Sequence, residues 1–295
     1  MTAKPPFPWL GGKGRLADEI SARLPGPSRE LTYVEPFFGG GAIFFSRRPS
    51  GVEVVNDANG EVIHFFRTLR DKPDELVGYL QNTPYSRQVF NEWRVIKAPE
   101  TLPEIERAAR FFYIARSSFA AESTRQTPAW AFARILDNRA RGMSNAIDCE
   151  LHHVRDRLRY ALIECDDAVS VIRRFDSESA LIYCDPPYVQ ETRREGGYSH
   201  EMADEDHERL LRSLLVCQGH VALSGYPSNL YRDYLETGAG WTYVDFEHSC
   251  RANRSGAVGD VDRARTERLW MNPRLSEWNE KMGRRQSSLF EEMAI

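Results

Sequence analysis

Leu31-Thr32-Tyr33-Val34-Glu35-Pro36-Phe37-Phe38-Gly39-Gly40-Gly41 decides how this chain folds. Its first five residues read as a strand, carrying branched and aromatic side chains, and the three glycines read as a turn. Residues 42 to 48 then read as a helix. A second strand, Val52-Glu53-Val54-Val55-Asn56, leads into a helix from about Asn59 to Asp71 with Val62, Ile63, Phe66 and Leu69 on one face. Strand and helix in alternation predict a parallel, doubly wound α/β sheet. The glycines let the backbone approach a ligand closely, and the helix behind them offers N–H groups. A plain tight turn would carry the same residues.

Further along the chain the pattern changes. Residues 74–81, 88–96, 103–119 and 146–158 favour helix, and between them lies a polar, arginine-bearing stretch, 120–143. Strand signals resume at 160–164, 180–184, 220–224, 241–246 and 268–272, with helices between several of them. The reading is a sheet domain formed by residues 1–72 and 157–275, a helical insertion at 73–156, and a polar, loosely ordered tail at 276–295.

Length, 295 residues, suits one large α/β domain with a smaller insertion. No apolar run approaches membrane-spanning length, and the N-terminus lacks the apolar stretch of a secretory signal. Five cysteines, odd in number and without a C-x-x-C pair, argue against disulfides or zinc and for a reducing cytoplasm; most sit in apolar runs and read as core fillers. A net charge of −4 does not advertise nucleic-acid binding, yet ten arginines against six acids between Ile105 and Tyr160 leave a local +4. Such a face suits phosphate contact, or is a solvated helix surface.

The densest chemistry is Asp185-Pro186-Pro187-Tyr188, directly after the apolar run Ala180 to Cys184. Two prolines cannot continue a sheet ladder, so the strand must end in a stiff turn with outward carbonyls. A carboxylate, a fixed carbonyl and an aromatic face suit a planar ring bearing an exocyclic amine. Asp57 ends the second strand, where an acid accepts ribose hydroxyls in nucleotide-binding α/β folds or simply caps the next helix. Pro8-Trp9-Leu10-Gly11-Gly12-Lys13 sets an indole and an ammonium beside a flexible loop.

In this order, the motifs resemble the Dam-type family of DNA adenine methyltransferases, from about Phe7 to Asn272 outside the insertion. The resemblance implies a Rossmann-like sheet, S-adenosylmethionine as methyl donor, no metal, and double-stranded DNA as partner. Trp9, Gly12, Lys13, Glu35, Pro36, Phe37, Gly39, Gly41 and Asp57 match the donor-binding motifs, and Asp185, Pro186, Pro187 and Tyr188 the catalytic one, with Asp185 also facing the donor. Lys13 would reach the donor's carboxylate end or the target base. Asp167 falls where the family contacts the donor's adenine, with Asp166 as its competitor, or either caps a helix. Tyr198 fits the loop closing over the site. The expected setting is a prokaryotic or phage-encoded cytoplasm with a cognate restriction nuclease as an admissible partner; a monomer is expected, with oligomeric state left open by the sequence.

Asp185 and the Pro186 carbonyl would each accept one N–H of the adenine amine, freeing its lone pair for in-line attack on the methyl. Within a duplex the base must first be flipped out. Arg116, Ser118, Arg125, Arg134 and Arg139 have the chemistry for base edges or phosphates. The asparagine- and glycine-rich segment of GATC readers is missing at 112–121, so that target is not carried over. Two rivals stand beside this reading: a methyltransferase of another planar amine, in RNA, cytosine or a protein glutamine, and a catalytically silent DNA-binding relative.

Overall fold

The computed structural model describes residues 2–118, 128–131, 139–189, 202–249 and 264–293. Among them, seven strands form one sheet: β1 (Thr32–Glu35), β2 (Val52–Asn56), β3 (Leu162–Glu164), β4 (Ala180–Cys184), β5 (His220–Gly225), β6 (Thr242–Ser249) and β7 (Ala264–Met271). Their order is β3-β2-β1-β4-β5-β7-β6, parallel throughout except that β7 runs antiparallel between β5 and β6.

The helices are α1 (Ala17–Ser21), α2 (Ala42–Ser46), α3 (Gly60–Asp71), α4 (Pro73–Gln81), α5 (Arg87–Arg94), α6 (Glu104–Ser117), α7 (Arg139–Asn145), α8 (Leu151–Leu158), α9 (Ala168–Phe175), α10 (Asp204–Leu214), α11 (Asn229–Tyr231) and α12 (Pro273–Met293). The strand period of two splits the core across the sheet. Tyr33, Val55, Leu181, Tyr183, Ala222 and Leu269 face one hydrophobic cluster, and Val34, Val54, Ile182, Cys184, Leu223 and Trp270 face the other. Central strand β4 is buried along its whole length, as a doubly covered parallel strand must be.

The expected helical block is present, but it does not carry a core of its own. The cluster on the α3 side runs on through Leu76, Phe90, Ala108, Phe112 and Leu151 without a break. Phe65 of α3 stacks on Phe112 of α6 with ring centroids 5.6 Å apart. Arg157 of α8 makes two hydrogen bonds to Glu53 of β2, both side chains buried, and lies over the Phe44 ring. Removing either partner would strand a buried charge, so this pair fixes where the block ends and the sheet resumes.

The polar tail is corrected by the structure. Asn272 caps α12, accepting from Leu275 N at 3.0 Å, and ties it to β5 by accepting from Val221 N at 3.1 Å and donating to Gly219 O at 2.9 Å. Leu275 is fully buried and Trp278 packs on the core, so a few apolar residues suffice to dock a helix whose other faces are polar. Of the cysteines, Cys184 is buried, Cys217 half-buried and Cys149 and Cys165 exposed, so core filling holds for only part of the set; Cys250 lies outside the described residues.

Candidate active site

Strand order reverses between β1 and β4, and in open α/β sheets that switch point leaves a crevice at the carboxyl ends of the strands. Glu35 and the glycine turn leave β1 on one side of it, and Asp185 leaves β4 on the other. Two separate motifs of the sequence therefore meet because their strands are neighbours.

The glycine turn is shaped by backbone that only glycine tolerates well. Gly39 and Gly41 have φ of +48° and +69°. A Cβ on Gly39 would fall inside the Trp9 indole, and one on Gly41 would lie 2.6 Å from the Phe38 ring. Gly12 donates to Trp9 O at 3.0 Å, closing the loop that lays Trp9 against the turn. Asp57 spans the same region: one oxygen accepts from Gly39 N at 2.7 Å and the other from Asn59 N at 2.8 Å. Phe37 packs half-buried on the far cluster.

Asn56, quoted in the sequence but given no role, fastens three chain segments together. Fully buried, it donates to Pro36 O at 2.9 Å and to Asp166 O at 3.0 Å, and accepts from Asp166 N at 2.9 Å. The following Asp167 caps α9 through Ser170 N at 3.0 Å and pairs with Arg209. Asp166 pairs with Arg174 at 2.9 Å. Both acids of that turn already have cationic neighbours on the protein surface.

At the end of β4 the two prolines stop the ladder and present Asp185 and Tyr188 to Lys13. Lys13 is only 4% exposed, and its ammonium donates to Asp185 Oδ1 at 2.6 Å, to the Tyr188 hydroxyl at 2.9 Å and to Gly11 O at 3.0 Å. Glu267 of β7, 2% exposed, accepts from the Tyr188 hydroxyl at 3.1 Å and has its other oxygen 3.3 Å from Lys13 Nζ. Tyr226, just past β5, lies against the Tyr188 ring with centroids 4.3 Å apart and planes 30° apart.

Burial raises the Asp185 carboxyl to about 6, with Lys13 pulling it down and Glu267 pushing it up. Burial likewise raises Glu35 to about 8; the hydrogen bond from Tyr33 opposes this and the Asp185 charge adds to it. For Lys13, burial alone would depress the ammonium, but Asp185 and Glu267 outweigh it and hold the proton more firmly than usual. The site can thus hold a cation between carboxylates, grip an amine at Asp185 and offer Tyr188 as an aromatic wall.

Apart from Asp167, which pairs with Arg209, the expected site residues divide into three groups. Trp9, Gly12, Gly39, Gly41 and Asp57 meet at the glycine turn, Glu35, Pro36 and Phe37 lead into it from β1, and Lys13 and Tyr188 join Asp185 past the end of β4 beside Pro186 and Pro187. Arg116 and Ser118, expected at DNA, bond within the chain. Arg116 donates to Pro6 O at 2.6 Å and Gly142 O at 3.2 Å and pairs with Glu150, while Ser118 is buried and donates to Ile114 O at 2.6 Å. Arg139 is half-buried at the start of α7, and Arg125, Arg134 and Tyr198 lie outside the described residues.

Glu267, Asn56 and Tyr226 were not among the sequence candidates. For Glu267 a signal existed: it shares a strand face with Leu269 and Met271, so an acid stands in an inward apolar stripe. Among the described residues no cluster of His, Cys, Asp and Glu could hold a metal ion, and no helix is long and apolar enough to cross a membrane.

The sequence profile of the family described as D12 class N6 adenine-specific DNA methyltransferase matches residues 9–238. The type II methyltransferase M1.LlaDCHI of Lactococcus lactis subsp. cremoris is 33% identical over 124 residues, 40% of this chain and 43% of its own. The DNA N-6-adenine-methyltransferase of Escherichia phage P1 is 28% identical over 86% of this chain and 34% of its own. The DNA adenine methylase of Haemophilus influenzae is 28% identical over 85% of this chain and 88% of its own. The chain thus spans less than half the length of the first two relatives and most of the third.

Proposed function

Since the chain belongs to the D12 class of N6 adenine-specific DNA methyltransferases, we propose that it methylates the exocyclic amino nitrogen of an adenine flipped out of double-stranded DNA, with S-adenosylmethionine as the donor. The observation that carries this reading is the meeting of Asp185-Pro186-Pro187-Tyr188 with the glycine turn across the β1–β4 crevice. The names of the relatives supply the substrate class, and their bacterial and phage sources suggest a bacterial cytoplasm as the setting.

The residues present fit such a donor. Side-chain-free backbone at Gly39 and Gly41, the Trp9 indole over it and the Asp57 carboxylate at the end of β2 suit an amino-acid and nucleoside ligand. Glu35, Pro36, Phe37, Gly12 and Lys13 complete that side, with Asp167 or Asp166 for the adenine of the donor. Bound there, it supplies an electrophilic methyl group on a sulfonium.

The chain's own work is positioning. Tyr188 stacks on the extruded adenine, worth roughly 1–3 kcal/mol against the cost of unstacking. Asp185 and the Pro186 carbonyl accept the two amine N–H bonds and draw the nitrogen toward tetrahedral geometry, so that its lone pair points at the methyl carbon. As the new N–C bond formed and the sulfur–methyl bond broke, leaving the donor as a neutral thioether, positive charge would grow on that nitrogen beside Asp185. The surplus proton then leaves to Asp185 or to water, and a carboxyl raised to about 6 is a better base than an ordinary one. Recognition of flanking bases falls to the helical block, with Arg139, Arg125 and Arg134 as its proposed contacts, and Tyr198 belongs to the loop proposed to close over the site.

Tritiated S-adenosylmethionine and DNA from a methylation-deficient host test the reading. Label should enter DNA, and digestion should give N6-methyladenine by mass. Asp185→Ala should give none while DNA binding survives at least in part. Label in RNA or on cytosine instead, or full turnover by Asp185→Ala, would refute it.

A further inference from the structure

An ammonium has three protons, and on Lys13 each has a partner: Gly11 O, Asp185 Oδ1 and the Tyr188 hydroxyl. Glu267 Oε1 stands 3.3 Å from the same nitrogen and receives no hydrogen bond among the described residues, although Glu267 is 2% exposed. A buried carboxylate oxygen without a donor is costly, and native proteins keep few of them. This one sits beside the Lys13 ammonium, within reach of its protons once one of them is released.

We propose that Glu267 is a positioning residue for methyl transfer, the acceptor to which Lys13 turns when the target amine takes over the Asp185 carboxylate. The proposal rests on the reading of the site as an adenine methyltransferase. Lys13 holds Asp185 Oδ1 at 2.6 Å, and an amine that takes this oxygen displaces that bond. A lysine proton released in so dry a place needs another acceptor, and Oε1 is the near one.

Charge makes the same demand. Lys13 and Asp185 alone would cancel, and a neutral pair offers little to a nitrogen that becomes cationic as its bond to carbon forms. With Glu267 the group of three carries one net negative charge. Glu267 also fixes the base-stacking wall, because the Tyr188 hydroxyl accepts from Lys13 and donates to Glu267 Oε2.

The groups facing Asp185 are Lys13 from the N-terminal loop, Glu267 from β7, Glu35 from β1, and Tyr183 and Tyr188 from its own segment. Glu267→Gln keeps the shape and removes the charge. With DNA from a methylation-deficient host, kcat should fall by about tenfold or more, and KM for DNA and for S-adenosylmethionine should change less than about threefold. The acid limb of kcat should move to lower pH, because a negative neighbour that favours protonated Asp185 is gone. A purely structural Glu267 would lower the melting temperature and leave that limb in place. A kcat within about twofold of wild type, with the limb unmoved, overturns the proposal.

If the Gln variant does not fold, Glu267→Asp retains the charge but draws the oxygen back; the limb should stay and kcat should still fall, and wild-type kcat would overturn the proposal. The Asp185 titration can also be followed by 13C resonances of labelled aspartate in wild type and Glu267→Gln, with no turnover. An unchanged midpoint there counts against Glu267 itself, whereas wild-type protein that leaves DNA unlabelled counts against the functional reading.

Discussion

Replacing Asn56 by alanine removes one side chain from three joints at once. Its amide donates to Pro36 O and Asp166 O and accepts from Asp166 N, at 2.9, 3.0 and 2.9 Å, with no exposure to solvent. A buried hydrogen bond contributes a net of roughly 0.5–1.5 kcal/mol, so three give roughly 1.5–4.5 kcal/mol. The space left is about one amide, and water entering it would recover part of the loss. We therefore expect Asn56→Ala to destabilise by about 2–4 kcal/mol. Asn56→Asp keeps the acceptor for Asp166 N but sets a carboxyl against two carbonyl oxygens, so it isolates the value of the donors. Urea denaturation at pH 7 with unchanged m values measures both. Because Pro36 opens the glycine turn and Asp166 opens the turn after β3, KM for the methyl donor should rise severalfold in both variants. An Asn56→Ala protein within about 0.5 kcal/mol of wild type would refute this account of how the crevice is held together.

Glu35, raised to about 8 by burial, is stable in its protonated form within the fold. Its contribution is therefore fully present below the ordinary carboxyl value of 4.5 and is lost as pH rises to about 8, so the melting temperature should fall between roughly pH 5 and 8 and level off above that. That fall should shrink in Glu35→Gln, and an equal slope in both proteins would show that this carboxyl is not responsible. Arg116→Ala should cost about 1–3 kcal/mol, since Pro6 O, Gly142 O and Glu150 lose their donor. The salt dependence of DNA binding should be unchanged in that variant; a slope smaller by about one would return Arg116 to a phosphate.

The parts legible in the sequence were those whose chemistry is local. Strand, glycine turn and helix follow one another within residues 31–48, and Asp185-Pro186-Pro187-Tyr188 announces a strand end by its prolines alone. For Arg116 and Ser118, residue type says what a side chain can bond to, but not which way the local backbone turns it. Arg116 is in α6, which packs on α3, and Ser118 caps that helix, and both side chains donate to backbone carbonyls. Glu267 was hidden for a topological reason. It reaches Lys13 only because β7 enters the sheet antiparallel beside β5, a placement that no short window of sequence encodes. The tail misled by its polarity: Leu275 and Trp278 are enough to dock α12 once Asn272 has capped it.

The buried charges explain why the site sits where the fold is least comfortable. Asp185, just past β4, and Glu267, within β7, meet at Lys13, and Glu35 at the end of β1 feels the Asp185 charge, with Arg47 offsetting Glu35 only in part. A core that only had to be stable would replace such a group with apolar residues of the same size. The surplus of negative charge has a purpose if the site must receive positive charge from outside, first on a sulfonium donor and then on the nitrogen that takes its methyl. Burial raises the affinity of Asp185 and Glu35 for a proton, and by the same electrostatics for any cation that can replace it. Lys13 then serves as the resident cation that keeps the cluster folded until the amine arrives, and Glu267 as the place where that cation rests while the amine holds Asp185.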